Sequence, residues 1–211
     1  MKAYYNDIVN YYDDKVQRFG TGPYAVDWNS IEVQEIRFRQ LAKVLPHKDN
    51  EEFTLCDFGC GLGAFSDYVK KEHSNYQYTG IDISSKMIDS ARMEHEGKDY
   101  IAEFVCAHEI TNEYDYVIES GIFNVRKDVP NEQWLNYITD TLDMFNRHAK
   151  KGFAFNCLTK YSDQEYMRDY LYYADPCFLF DYCKRKYSRN VALLHDYELY
   201  DFTIIVKKVS G

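Results

Sequence analysis

Between Leu55 and Phe65 the chain reads Leu-Cys-Asp-Phe-Gly-Cys-Gly-Leu-Gly-Ala-Phe. An apolar run closes on Asp57, and Gly59, Gly61 and Gly63 follow at every second position. Glycine reaches positive φ without strain and lets a ligand approach the backbone without meeting a Cβ. Where such a turn opens a helix, the unbonded N–H groups of the helix start face that ligand. Gly59, Gly61 and Ala64 formally satisfy a dinucleotide-binding fingerprint. Three features pull away from an NAD-dependent oxidoreductase. Asp57 sets beside the glycines a carboxylate that repels a pyrophosphate and attracts a cation. Gly63 adds a further point of close approach. Beyond the fifth strand comes an antiparallel hairpin rather than a second nucleotide-binding half.

A second acid stands one strand further on, in Tyr78-Thr-Gly80-Ile-Asp82-Ile83-Ser84. Asp82 follows Gly59 by 23 residues, and a carboxylate at that strand end accepts hydrogen bonds from ribose hydroxyls. This reads as ribose without choosing between NAD and an adenosine-containing sulfonium. The plainer alternative is that Asp82 caps the helix beginning near Ser85.

These residues need a scaffold, and the hydrophobic pattern supplies one. Phe53–Phe58, Tyr76–Ile83, Ile101–Cys106, Tyr114–Glu119 and Lys151–Leu158 read as strands. Helical stretches at Ala64–Glu72, Ser85 to about His95, and about Asn131 to His148 alternate with them, the last entered through Pro130. Residues 162–187 read as helical, broken at Asp175-Pro176. Arg189–Leu194 and Phe202–Lys208 are strands separated by His195–Asp201 alone. A parallel crossover needs a dozen or more residues, so these two strands are antiparallel neighbours. Upstream, Ile31, Val33, Ile36, Phe38, Leu41, Val44 and Leu45 give a helical stripe that Pro46 ends, after a flexible break at Arg18–Tyr24. A helix pair over the mouth of a site has this form, and so has an ordinary packing helix.

Composition narrows the partners. The 211 residues suffice for one α/β domain, and the net charge of -9 disfavours a long nucleic-acid substrate. Lys184, Arg185, Lys186 and Arg189 form a local basic cluster that reads as a solvated helix end. No apolar run is long enough to span a membrane, and Met1–Asp14 lacks the pattern of a secretory signal. Cys56, Cys60, Cys106, Cys157, Cys177 and Cys183 show neither CxxC nor zinc spacing. They fit buried thiols in a reducing cytoplasm, and no metal is expected. The 21 tyrosines suit half-wet pocket walls as well as core and surface.

Taken in order, Asp57-x-Gly-x-Gly-x-Gly63, Gly80-Ile-Asp82-Ile-Ser84 and Tyr114-Asp-Tyr-Val-Ile-Glu119-Ser120 resemble the successive motifs of class I S-adenosylmethionine-dependent methyltransferases. The resemblance covers roughly residues 50 to 209, terminal hairpin included. It implies a Rossmann-like α/β three-layer sandwich around a mostly parallel seven-stranded sheet, order 3-2-1-4-5-7-6, with the last strand antiparallel. The expected organisation is a single domain over 1–211. Residues 1–48 form an N-terminal helical lid and 49–211 the core, with a helical insertion near 162–187. The implied cofactor is S-adenosyl-L-methionine, released as S-adenosyl-L-homocysteine. Asp57 and the loop Gly59, Cys60, Gly61 and Gly63 would hold its amino-acid end, and Asp82 its ribose. Ile83 and Met87 would pack on the adenine, and Glu119-Ser120-Gly121 would pass beneath the sulfur. After the third strand, where the family commonly has Gly-Asp, this chain has Cys106-Ala107-His108-Glu109. His108 either takes the adenine-contacting place or is an exposed turn residue.

The expected acceptor is a small molecule: a metabolite, a saccharide or a lipid headgroup. The Asn/Asp-Pro-Pro-Tyr/Phe run that goes with methylation of exocyclic nitrogens is replaced here by Glu119-Ser-Gly-Ile-Phe-Asn-Val. Candidate acceptor-wall residues are Tyr11, Tyr12, Phe19, Tyr24 and Trp28, with Phe123, Asn124 and Arg126 after the fourth strand. His195, Asp196 and Glu119 are candidate polar or catalytic groups, each with a structural reading beside it. The rival functions are an NAD-dependent oxidoreductase and a non-catalytic cofactor-binding regulatory partner.

Overall fold

A computed structural model describes residues 4–19, 30–47, 51–98, 100 and 102–208. Its core is a seven-stranded sheet in the order β3-β2-β1-β4-β5-β7-β6. The strands are β1 (Phe53–Phe58), β2 (Tyr76–Asp82), β3 (Ala102–Cys106), β4 (Tyr114–Ile118), β5 (Ala149–Leu158), β6 (Asn190–Leu194) and β7 (Asp201–Lys207). The first five run parallel, while β7 lies antiparallel between β5 and β6. Strand spacing alone therefore fixes the antiparallel terminal pair.

Helices cover both faces, because alternate residues of each strand point to opposite sides. On one face α5 (Asn131–His148) and α6 (Pro176–Lys186) bring Trp134, Leu142, Phe145 and Leu179 onto Cys56, Val117, Phe153, Phe155 and Ile204. On the other, α2 (Ile31–Leu41), α3 (Ala64–Lys70) and α4 (Ser85–His95) bring Phe38, Phe65, Val69 and Ile88 onto Leu55, Tyr78, Ile118 and Ile205. The result is the three-layer arrangement, with α1 (Tyr4–Phe19) as an additional N-terminal helix.

Local chemistry sets the helix starts. Ser84 Oγ accepts from Met87 N at 3.1 Å, and Asp175 Oδ1 accepts from Cys177 N and Phe178 N ahead of Pro176. Asp175-Pro176 therefore begins a helix and does not interrupt one. The helical reading of 162–187 is corrected over its first half, where a single 3₁₀ turn at Gln164–Tyr166 precedes extended chain. That chain is bridged through Val125↔Leu171 and Thr159↔Ala174. Tyr170 O takes Arg126 N and Lys127 N, and Tyr172 N donates to Asn124 O. The loops after β4 and β5 thus satisfy backbone groups that a helix would have paired internally.

One buried ion pair ties α2 to the sheet: Arg37 Nη2 and Nε donate to Asp201 Oδ2 at 2.6 and 3.1 Å. Asp201 is fully buried, and removing one partner strands the other. Asp201→Ala is expected to cost about 3 kcal/mol in urea unfolding, and an apolar pair, Arg37→Met with Asp201→Leu, to return most of it.

Candidate active site

The carboxyl ends of β1, β2 and β4 open into a cavity of about 1230 Å³. It lies where the sheet order turns, with β1 between β2 and β4, the place where open α/β sheets bind ligands. Its floor is the turn after β1, in which Gly59, Gly61 and Gly63 have φ of 81°, 53° and 80°. Gly59 N and Cys60 N donate to Ile81 O, pinning the turn to β2. A Cβ on Gly59 would stand 2.1 Å from Ile122 Cγ2, so this position closes the turn against the loop after β4. Cys60, Gly61 and Leu62 line the cavity beside it. Gly63 does not; it is the left-handed N-cap of α3 and packs towards Phe104.

Two acids face the cavity from adjacent strand ends. Asp57 is 3% exposed, and Tyr78 donates its hydroxyl to Oδ2 at 2.5 Å. Burial nevertheless pushes the carboxyl up to about 7, with the nearby Asp82 adding to the rise. Asp82 accepts Gly61 N on Oδ2 and Ser84 N on Oδ1, both at 2.9 Å. Burial raises it as well, while these N–H donors hold it down. Ser84, rather than Asp82, caps α4. Asp82 fastens the turn and still presents carboxylate lone pairs to the cavity.

Beyond Asp82 the wall becomes apolar. Met87 and Leu62 are buried, and Tyr12 of α1 packs against both. Ser84 Oγ also meets Asp13 Oδ1 at 2.5 Å, and Lys86 Nζ lies 3.4 Å from Asp13. Helix α1 is thereby held over this end of the cavity. Ile83, Ala107 and His108 line the same side, His108 with its ring half exposed.

On the opposite side, past Ser120 and Gly121, the lining includes Asn124, Arg168 and the rings of Tyr166, Tyr170, Tyr173 and Tyr200. Asn124 also braces the wall, its Oδ1 accepting Leu158 N at 3.0 Å. Tyr166, Tyr170 and Tyr173 come from the aperiodic stretch that the sequence pattern reads as a helix, and Tyr200 from the connection before β7. Only its high tyrosine content signalled a pocket wall.

Several expected site residues fall elsewhere. Phe123 is fully buried in the core between Tyr137 and Phe155, because its backbone carbonyl takes Trp134 Nε1 and turns the side chain inward. Glu119 is fully buried and does not line this cavity; its oxygens accept Ile122 N and Asn156 N, each at 3.0 Å. Burial lifts its carboxyl well above the ordinary range. His195 and Asp196 are exposed outside the cavity, the His195 ring lying against Phe202 and Tyr161. Arg126 spends its guanidinium on the carbonyls of Lys127, Val129 and Asp169. Tyr11 lies behind the wall beneath Lys127 Nζ, 3.6 Å from the ring centroid. Tyr24, Trp28 and the Phe19 side chain lie outside the described residues.

Comparison with known proteins adds a further line. Residues 56–152 match a family described as a methyltransferase domain. A Mycobacterium tuberculosis protein, Rv1506c, whose methyltransferase name is itself provisional, is 52% identical over 160 residues, 76% of this chain and 96% of the relative. Among solved structures, magnesium protoporphyrin IX methyltransferase of Synechocystis PCC 6803, with bound SAH, aligns over 97% of this chain and 99% of its own. The TM-score is 0.67 at 16% identity. Human N-acetylserotonin methyltransferase in complex with SAM aligns over 99% of this chain and 60% of its own, at TM-score 0.69 and 13% identity.

The placements separate two former catalytic candidates by experiment. His195→Ala is expected to leave turnover within about twofold, as for an exposed residue that does not line the cavity. Glu119→Ala strands two buried N–H groups and should cost about 2–4 kcal/mol in denaturant unfolding. A large kinetic loss at His195 with unchanged stability would return it to the site.

Proposed function

The chain belongs to the methyltransferase family, and from that premise we propose that it transfers a methyl group from S-adenosylmethionine to a small-molecule acceptor by in-line displacement. One observation carries this reading. Asp57 is a buried carboxyl facing the cavity beside the glycine turn, and burial has pushed it up to about 7. An acid so placed is suited to a cationic ligand group, which lowers the cost of ionising it.

The residues present fit the cofactor. Asp57 would neutralise its ammonium, and the Gly59–Gly61 backbone would lie along its amino-acid end. Asp82 would accept the ribose hydroxyls through lone pairs that Gly61 N and Ser84 N leave open. Met87, Leu62 and Tyr12 supply an apolar slot for the adenine, with Ile83, Ala107 and His108 at its rim. When bound, the cofactor supplies a sulfonium-activated methyl whose departure leaves a neutral thioether.

What remains for the chain is alignment, with the nucleophile held at about 3–3.5 Å from the methyl carbon. The acceptor side favours that task over proton abstraction. Asn124, Arg168 and the four tyrosines can orient a neutral or anionic acceptor. The cavity volume exceeds the usual range for one ligand and suits a nucleoside with a second small molecule. The net charge of -9 favours a metabolite, saccharide or lipid headgroup over a nucleic acid. A cytoplasmic setting accords with the six free cysteines, and no helix among the described residues is long and apolar enough to cross a membrane.

Calorimetry with S-adenosylhomocysteine tests the cofactor assignment. Heat is expected with that ligand and none with NAD; the reverse overturns the reading. Binding favours ionised Asp57, so affinity is present above the folded-state value near 7 and lost as pH falls through it, about tenfold from pH 8 to pH 6. Asp57→Asn should weaken binding at pH 8 by about ten- to a hundredfold. Release of S-adenosylhomocysteine with an acceptor panel then separates an enzyme from a cofactor-binding regulatory partner.

A further inference from the structure

We propose that Tyr78 is a positioning residue for cofactor capture: its buried hydroxyl holds the Asp57 carboxylate ionised and aimed at the cavity. The inference rests on the reading of Asp57 as the ammonium anchor and adds to it the residue that sets the anchor's charge.

The geometry comes from strand register. Asp57 of β1 stands opposite Gly80 of β2, and Tyr78 stands opposite Leu55. Tyr78 and Gly80 are two apart and share a face of the sheet. The Tyr78 side chain therefore runs along its own strand towards the carboxyl end and meets Asp57 there. Gly80 is needed for the crowding at this point: a Cβ on it would come within 2.8 Å of Cys60 Sγ and 2.9 Å of Phe104 Cδ1. Tyr78 is 1% exposed and its ring is tilted against Phe104 at 5.9 Å, so its hydroxyl has a fixed direction.

The bond is 2.5 Å long, the range of a charge-assisted O–H···O⁻ contact. Among the described residues no other group donates to Asp57. Asp82 accepts from two backbone N–H groups, and Glu119 does the same. Asp57 instead receives a side-chain hydroxyl on Oδ2, and Oδ1 is left for a ligand. The groups facing Asp57 are Tyr78 and Asp82 of β2, Glu119 beyond β4, Cys60 of the turn and Cys56 of its own strand. Of these, Tyr78 alone favours the charged form of Asp57; the Asp82 charge opposes it. Burial holds the Tyr78 phenol well above its ordinary range, so it remains a donor throughout the relevant pH window.

The test reads the Asp57 carboxyl directly. Its ¹³C resonance in the cofactor-free protein is titrated for wild type and Tyr78→Phe, and S-adenosylhomocysteine affinity is measured from pH 5.5 to 8.5. Losing a hydrogen bond to the charged form should move the Asp57 midpoint up by about one to two pH units. Affinity at pH 7 should then fall about five- to fiftyfold and still be climbing with pH at 8, where wild type has levelled off. Should Tyr78→Phe fold poorly, 3-fluorotyrosine at 78 keeps the ring, donates more strongly and should move the midpoint down. An unchanged carboxyl midpoint, or an affinity loss equal at every pH, overturns the role of Tyr78 while leaving Asp57 as anchor. A carboxyl midpoint that moves while wild-type affinity ignores pH overturns the anchor, and Tyr78's part in capture with it.

Discussion

Keeping a carboxylate charged at a buried strand end is the constraint around which this site is arranged. Burial leaves Asp57 little solvation, and the effective cost of ionising a group so placed is several kcal/mol unless a partner offsets it. The fold supplies one hydroxyl from Tyr78, which is not a counter-ion. In the proposed reading, a cationic ligand group completes the pair. The surroundings serve the same end. Gly59 closes tightly enough on Ile122 for a ligand to lie along the turn, and Ile81 O clamps that turn to β2. The sheet order puts β1 at the centre, so Asp57 is flanked by the strand that supplies Tyr78 and Asp82 and the strand that leads to Ser120.

Around this centre the walls are assembled from segments far apart in the chain. Helix α1 reaches Ser84 through Asp13 and closes on Met87 and Leu62 through Tyr12, so one ordered helix covers the end that an adenine would fill. The opposite wall exists because residues 170–174 pair with the loops after β4 and β5 and carry their tyrosines to the cavity rim.

The features legible in the sequence are those whose cause is local. The glycine turn, the acid at the end of β2 and the antiparallel pair β6–β7 follow from residue type and spacing, and each stands where it was expected. The failures share a different cause. Phe123, Glu119 and His195 sit within a few residues of site-lining positions, but their direction depends on partners outside their own motifs. Trp134 takes the Phe123 carbonyl, Asn156 takes a Glu119 oxygen, and Phe202 holds the His195 ring outside. Tyr166, Tyr170 and Tyr173 were hidden because an aperiodic segment offers no face to assign. Tyr78 was quoted in a motif without a role, since only strand register brings its hydroxyl to Asp57.

The buried acids at the carboxyl edge of the sheet distinguish structure from site by their partners. Asp201 meets a guanidinium and is neutralised within the fold, although its Oδ1 lacks a donor. Glu119 has both oxygens covered by backbone N–H groups, so it braces the chain after β4 and offers nothing to the cavity. Asp57 alone of these combines burial, exposure of one oxygen to the cavity and the absence of a protein cation among the described residues. Burial by itself would have nominated all of them, with Glu119 and Asp201 ahead of Asp57. The inventory of donors is what assigns the ligand to Asp57, because an acid already served by the fold has no remaining need that a ligand can meet.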